Sequence, residues 1–204
     1  SESFQPAHEG LARLVRASRG VRLPRVPWIY EMMIAIVLQQ RVAFAEAARA
    51  FRALVDAHGE AAPGPHGLRT LPTPAALLAL PSHAFRAAWV DKKREAVLRA
   101  VAERAGTFDR LRDVPRAELR AALASIPGIG PWSLESAMGW GGGDADAAPT
   151  GDYWLPHIVS RALAGEERGD DARMLALLEP FRPHRFRVIR LLFAGGTGRP
   201  RHGP

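Results

Sequence analysis

The chain has 204 residues, 47% of them apolar, enough to bury a sizeable core and to place it outside the disordered class. It has no cysteine, which excludes disulfides, cysteine-ligated iron–sulfur clusters, Cys-type zinc sites and a Cys nucleophile. Its 28 Lys and Arg against 21 Asp and Glu give a formal net charge of +7, which favours a polyanionic partner because basic side chains on phosphates release counterions; alone, the charge fits equally a basic protein with no such partner. No apolar run approaches the ~20 residues of a membrane span. No signal peptide opens the chain, so an intracellular location and no membrane partner are expected.

The periodicity is helical almost throughout. Residues 29–54 predict one or two helices, with apolar positions at Met32, Ile36, Val37, Phe44, Ala47, Ala48 and Phe51. A Pro/Gly-rich loop follows from Gly59 to Pro74. Thr73 reads as an N-cap with Pro74 at the first helical position, opening a short helix through Leu80. Ser82 reads as the cap of another, and Asp91 as the cap of a helix over 92–105. Pro115 opens a helix over 116–125, and a tight Pro-Gly turn leads to another over 132–140. A glycine-rich loop from Gly141 to Gly151 precedes a helix starting near Asp152. Two more helices are predicted over 172–180 and 184–193, and the tail from Gly195 is expected to fray. With no alternating strand pattern and no internal repeat, the fold class is all-α.

The most informative stretch runs from Ala124 to Ser133. Two helices are joined by a hairpin too tight for ordinary residues, where Gly128 and Gly130 permit positive φ and close backbone approach. Ile126 and Ile129 are apolar pegs, and Pro131 stands where its missing N–H costs nothing. Backbone amides exposed at such a helix N-terminus suit a DNA phosphate. A plain helix–helix turn is the competing reading of the same residues.

The segment Ile126-Pro127-Gly128-Ile129-Gly130-Pro131-Trp132-Ser133, followed by a glycine-rich loop and Asp152, resembles the helix-hairpin-helix DNA glycosylases (the HhH-GPD superfamily). Trp132 points to the AlkA-like, 3-methyladenine DNA glycosylase II branch. Residues Tyr30-Glu31, Gln40-Arg41-Val42, Ala47-Ala48, Gly59-Glu60, Pro72-Thr73-Pro74, Lys93-Arg94, Gly139-Trp140 and Asp152-Tyr153 fit that branch too, so the likeness covers roughly residues 28 to 195. The type member carries an additional N-terminal β-rich domain, and this chain is expected to be a minimal version without one. The resemblance implies two helical lobes with the active-site cleft between them. The central lobe is expected over residues 29–145, and residues 1–28 with 146–204 form the second.

Asp152 lies twenty residues after Trp132, the family's distance, and the resemblance makes it the catalytic carboxylate. Aspartate is also a favoured N-cap, and the roles are compatible: a carboxylate at a helix N-terminus stays ionised and is aimed in a fixed direction. Beside the C1′ of an oxocarbenium-like sugar it lowers the barrier electrostatically and can orient the attacking water. Strand-cleaving relatives use a hairpin lysine to form a Schiff base. Here the matching residue is Trp132, and the only lysines are Lys92 and Lys93, so a monofunctional enzyme is expected, leaving the N-terminal amine as the one nucleophile not excluded.

By the same resemblance the damaged base is held by Trp132, Phe193, Tyr153 and Trp154, with Ser136 where the branch often has tyrosine. Gly128, Ile129, Gly130, Trp132 and Ser133 meet the phosphate. Gln40 and Arg41 form the wedge that fills the gap, although Arg41 replaces a customary apolar residue. The backbone carbonyls of Ala124, Ile126 and Gly128 could hold a structural Na+ or K+; no other cofactor is implied. Trp28, Trp89 and Trp140 default to core packing, and His157 to a surface or capping role. The expected partner is double-stranded DNA with damaged bases, met by a monomer in a bacterial, nucleoid-associated cytoplasm. Alkylated purines are the expected substrates. A glycosylase for uracil, hypoxanthine or a mismatched base, and a non-catalytic hairpin module that only binds DNA, are the alternatives.

Overall fold

The computed structural model describes residues 4, 8–18 and 20–195. Over them the chain forms twelve α-helices and one 3₁₀ turn, with no strand and two isolated bridges, Arg25 with Gly142 and Ala61 with Arg69. The all-α expectation therefore holds. The tail expected to fray lies, beyond Gly195, outside the described residues. No helix among the described residues is long and apolar enough to cross a membrane. The helices belong to two compact units, one of Val26–Ala137 and one of Ser1–Arg25 with Met138–Pro204. The chain changes unit at 25/26 and 137/138, where the sequence reading placed the changes at 28/29 and 145/146.

The unit of Val26–Ala137 is built around α2 (Ile29–Leu38), in which seven residues from Ile29 to Leu38 are buried. A helix apolar on every side must be surrounded, and α2 packs against α3 (Phe44–His58), α6 (Lys92–Glu103) and α7 (Ala105–Leu111). Of the one or two helices expected over 29–54 the structure forms two, with Arg41 in their connection at a left-handed φ of 58°. The short α4 (Pro74–Ala79) and α5 (Ser82–Ala87) pack on α6. Thr73 caps α4 as expected, accepting from Ala76 N–H, and Asp91 caps α6, accepting from Lys93 and Arg94 N–H. Ser82 does not cap α5. Pro81 precedes that helix, and the Ser82 hydroxyl donates to the buried Glu95 carboxylate at 2.8 Å. The α7 helix was not anticipated, because Phe108 and Leu111 are too few to set a period in a segment containing Gly106 and Thr107. Two further helices, α8 (Arg116–Ala124) and α9 (Pro131–Trp140), complete the unit, and α9 runs past its end at Ala137.

Arg94 is the charged centre of this unit. It is 7% exposed, donates to the Leu38 carbonyl (2.9 Å) and the Trp89 carbonyl (2.9 Å), and pairs with Asp91 at 2.6 Å. One guanidinium thus holds the C-terminus of α2 beside the turn between α5 and α6. A buried cation is tolerated because its N–H groups meet a carboxylate and two carbonyls.

The other unit packs α1 (Glu9–Ala17) on α12 (Arg185–Ala194), and α10 (Leu155–Ala164) on α11 (Asp171–Leu178), which continues into the 3₁₀ turn Glu179–Phe181. Its core includes Leu11, Val159, Met174, Leu178, Phe186, Val188 and Ile189. The α1 helix was also not anticipated. The glycine-rich loop after α9 is clamped by Arg185, whose guanidinium reaches the Asp146 carboxylate through Nε (2.9 Å) and Nη2 (2.8 Å), while Arg182 adds a contact at 3.0 Å and Phe186 N–H donates to Ala145 O. Burial alone would raise the Asp146 pKa. The hydrogen bonds and charge of Arg185, with the charge of Arg182, outweigh burial and hold the carboxyl below its ordinary value.

Replacing Arg94 by alanine would leave two carbonyls and a carboxylate without their cation. It is expected to cost about 3 kcal/mol, seen as a lower midpoint of chemical denaturation. Because folding lowers the Asp146 pKa, its contribution is present above the unfolded value of about 3.9 and disappears as pH falls through the folded value. Asp146→Asn should lower the melting temperature near neutral pH and flatten its decline on acidification below about pH 4. Thermal melts across that range check both effects.

Candidate functional site

The hairpin between α8 and α9 is shaped by close approach. Gly128 has φ +85°, and a Cβ there would stand 2.3 Å from Val97 Cγ2 of α6. Both the backbone and the neighbouring helix therefore demand glycine. Gly130, against expectation, has no positive φ and meets nothing within 4 Å, so neither its backbone nor a neighbour demands glycine there. Ile126 is 2% exposed and pegs the turn into the core, while Ile129 is half-buried and its N–H closes the turn on Ile126 O at 3.1 Å. Arg120 of α8 pairs with Glu135 of α9, fixing the two helices that the hairpin joins. Pro131 opens α9, so the first helical position has no N–H to satisfy, and the amides that follow belong to a helix N-terminus.

Gln40 reaches into this turn. Its Nε2 donates to Gly128 O (3.1 Å) and to Ser133 Oγ (2.8 Å). The expected wedge pair is thereby divided: Gln40 is engaged by the hairpin, whereas Arg41 is exposed with a left-handed backbone. Ser133 and Ser136 are each 3% exposed, so Ser133 serves the Gln40 link from inside, and Trp132 is half-buried. Of the carbonyls expected around an alkali cation, Ile126 O accepts from Ile129 N–H and Gly128 O from Gln40. Each oxygen keeps a second lone pair, so the donor set suits a hard cation beside these bonds.

In the other unit Asp152 caps α10 from three residues ahead of it. Its Oδ1 accepts from Trp154 N–H and Leu155 N–H, both at 2.8 Å, and the residue is half-buried. Gly151 (φ +79°) turns the chain into this position, its N–H donating to Asp171 Oδ2 at 2.8 Å. The carboxylate thus sits at a positive helix terminus with one oxygen fixed by two amides, which gives it a set direction. Pro156 falls in the first helical turn, where it is harmless. Tyr153 is exposed and meets Trp154 edge to face (centroids 4.8 Å), with His157 at 6.2 Å from Tyr153. His157, half-buried, accepts Gly169 N–H through Nδ1 at 3.1 Å and so ties α10 to the loop before α11 rather than capping a helix. Phe193, 41% exposed, lies 5.8 Å from Trp140, whose ring also meets Phe186 edge-on and carries the Arg190 guanidinium at 4.6 Å.

The core assignment of three tryptophans needs correction. Trp28 is 64% exposed and Trp89 60%, while Trp140 packs on one side and is 37% exposed. Trp89 was recoverable from the cap signal: with Asp91 as N-cap, Trp89 stands outside the helix, in a turn. No comparable signal marks Trp28.

No family model matches the chain. It is 30% identical over 174 residues to the probable bifunctional transcriptional activator/DNA repair enzyme AlkA of Mycobacterium tuberculosis, covering 84% of this chain and 34% of that protein. The chain thus spans about a third of the length of the curated relatives it matches. Among solved structures it resembles the 3-methyladenine DNA glycosylase of Archaeoglobus fulgidus (TM-score 0.75, 21% identity, 91% of this chain and 64% of that one). It also resembles Mag1, the 3-methyladenine DNA glycosylase of Schizosaccharomyces pombe, in complex with abasic DNA (0.72, 19%, 94% of both chains). The 8-oxoguanine glycosylase/lyase of Clostridium acetobutylicum is similar as well (0.71, 16%, 92% and 66%). The fold is that of the helix-hairpin-helix DNA glycosylases.

Gly128→Ala should destabilise the protein by about 2 kcal/mol or more, from the left-handed φ and the contact with Val97 together. Val97→Ala in the same chain should recover only the contact part. A double-mutant cycle by denaturant titration separates the two.

Proposed function

We propose that the chain is a base-excision DNA glycosylase of the AlkA-like branch, monofunctional, which removes alkylated purines and leaves an abasic site. The observation that carries the reading is Asp152: a carboxylate fixed at a helix N-terminus by two amides, twenty residues after a hairpin of the phosphate-binding kind, in a glycosylase fold. In this reading the carboxylate faces the sugar whose bond to the base is breaking. It stabilises the positive charge that develops at C1′ and orients a water whose oxygen bonds to that carbon. The bonding electrons leave with the base and neutralise its alkyl-derived charge, and the proton lost by the water passes through Asp152 to solvent. A purine already carrying an alkyl-derived positive charge leaves most readily, and Tyr153 and Trp154, next in sequence to Asp152, and Phe193 offer aromatic faces suited to it. Trp132 at the hairpin position where strand-cleaving enzymes carry lysine favours hydrolysis over a lyase step, although the fold itself is shared with glycosylase/lyases.

The hairpin from Gly128 to Ser133 is proposed to seat a DNA phosphate, with a Na+ or K+ on the carbonyls of Ala124, Ile126 and Gly128. Because Gln40 is engaged by the hairpin, Arg41 is proposed as the residue of the pair that enters the gap left by the extruded base. The buried Ser136, in place of an aromatic side chain, supports a second reading in which the lesion is neutral (uracil, hypoxanthine or a mismatched base), and a panel of lesion-bearing duplexes separates the two. Asp152→Asn is expected to slow release of free base from methylated DNA by about a hundredfold or more while leaving DNA binding intact. Release undiminished by this change, or strand nicking without alkali by the unaltered protein, would overturn the corresponding part of the proposal.

A further inference from the structure

Trp89 is the most conspicuous residue that the proposed chemistry does not use. Its indole is 60% exposed, and its backbone takes a φ of +62°, a conformation a bulky side chain adopts only under compulsion. The compulsion is visible on every side. Trp89 N–H donates to Arg86 O at 3.0 Å, Val90 N–H to Phe85 O at 2.9 Å, and the Trp89 carbonyl is held by the buried Arg94. The Arg49 guanidinium lies 5.1 Å from the ring centroid, buttressing one face of the indole. A large apolar ring held open to solvent in a strained turn contributes little to the core; glycine would suit the backbone better. Its surroundings are cationic: Arg49 stacks on it, Lys92 and Lys93 follow it, exposed, in the first turn of α6, and exposed Arg41 lies three residues beyond Leu38, whose carbonyl shares the Arg94 guanidinium with that of Trp89. Gln40 ties that same connection to the hairpin. The indole and Arg41 thus leave from two connections whose backbones the Arg94 guanidinium holds together.

We propose that Trp89 is a further DNA-contacting residue, stacking its outer face on an unpaired nucleobase, with Arg49 stiffening the ring from behind and Lys92 and Lys93 meeting the flanking phosphates. Exposed aromatic rings among basic side chains bind bases through their π faces without hydrogen-bond readout, and so favour a base that lacks a partner. The assignment rests on the reading of the chain as a DNA glycosylase, an activity that itself creates unpaired bases. It adds a determinant that recognises the disturbed duplex separately from the damaged base.

The test uses Trp89→Gly, which removes the ring and relieves the left-handed backbone, so that the variant should melt no lower than the unaltered protein. Affinities are measured for three duplexes of one sequence: fully paired, with a tetrahydrofuran abasic analogue opposite a normal base, and with the analogue on both strands. The expected result is a loss of about tenfold or more on the second duplex only, the scale of one lost base–aromatic stack. Changes under about twofold are expected on the other two, and Trp89→Phe should retain most of the affinity. Equal losses on all three duplexes, or no loss on the second, would overturn the assignment. If the unaltered protein excises base and Trp89→Gly binds all three duplexes equally well, the Trp89 role alone fails. If the unaltered protein neither binds these duplexes nor releases base, both readings fail.

Discussion

A single buried guanidinium organises the surface of the Val26–Ala137 unit. Arg94 takes up the carbonyl that ends α2 and the carbonyl of a left-handed tryptophan, and pairs with the cap of its own helix. Neither carbonyl belongs to the interior of a helix ladder, and without a donor each would be costly where it lies. Arg94 therefore fixes where α2 stops. Where α2 stops decides where Gln40 begins to reach across, and Gln40 engages the hairpin at Gly128 and Ser133. The chain of dependence runs from an ion buried in the core to the turn proposed to meet DNA.

The same economy appears around Asp152. Its carboxylate satisfies two amides that a helix start would otherwise leave to water, so stability and the proposed chemistry ask the same thing of one side chain. The loop leading to it is not held by glycine flexibility. Asp146, fastened by Arg185 and Arg182, anchors its middle, and Gly151 is bonded to Asp171 at its end. Shortening or loosening this loop would therefore act on the backbone that delivers Asp152 to the start of its helix.

Much of the helix order was readable from local signals, since these act over a few residues. Thr73 with Pro74, Asp91 and Pro115 each announced a helix start that the structure contains. The hairpin was readable because Gly128 and Ile126 are dictated by turn geometry. What escaped was set by distant partners. Ser82 looked like a cap, but Pro81 took that place and a buried Glu95 thirteen residues away claimed the hydroxyl. The engagement of Gln40 depends on residues about ninety positions later, and no pattern near position 40 encodes it. The α7 helix owes its form to packing on α2 rather than to its own period, whereas α1 carries a legible apolar stripe of Leu11, Leu14 and Val15 that packs on α12.

Arg41 and Trp89 are the two non-glycine residues with left-handed backbone among the described residues, and Arg94 holds the Trp89 carbonyl together with that of Leu38, three residues before Arg41. Conformational strain in one turn would be unremarkable. Two such turns, each ending in an exposed side chain able to stack or to carry charge, share one anchor. The cost of each is of order 1–3 kcal/mol, and glycine at either place would remove it without removing a partner of Arg94, whose bonds go to the carbonyls of Leu38 and Trp89 and to the Asp91 carboxylate. Retention of large side chains there is therefore not explained by folding. A surface selected only for stability would have relaxed both turns, which is the physical ground for proposing the wedge and the stacking ring at these two positions.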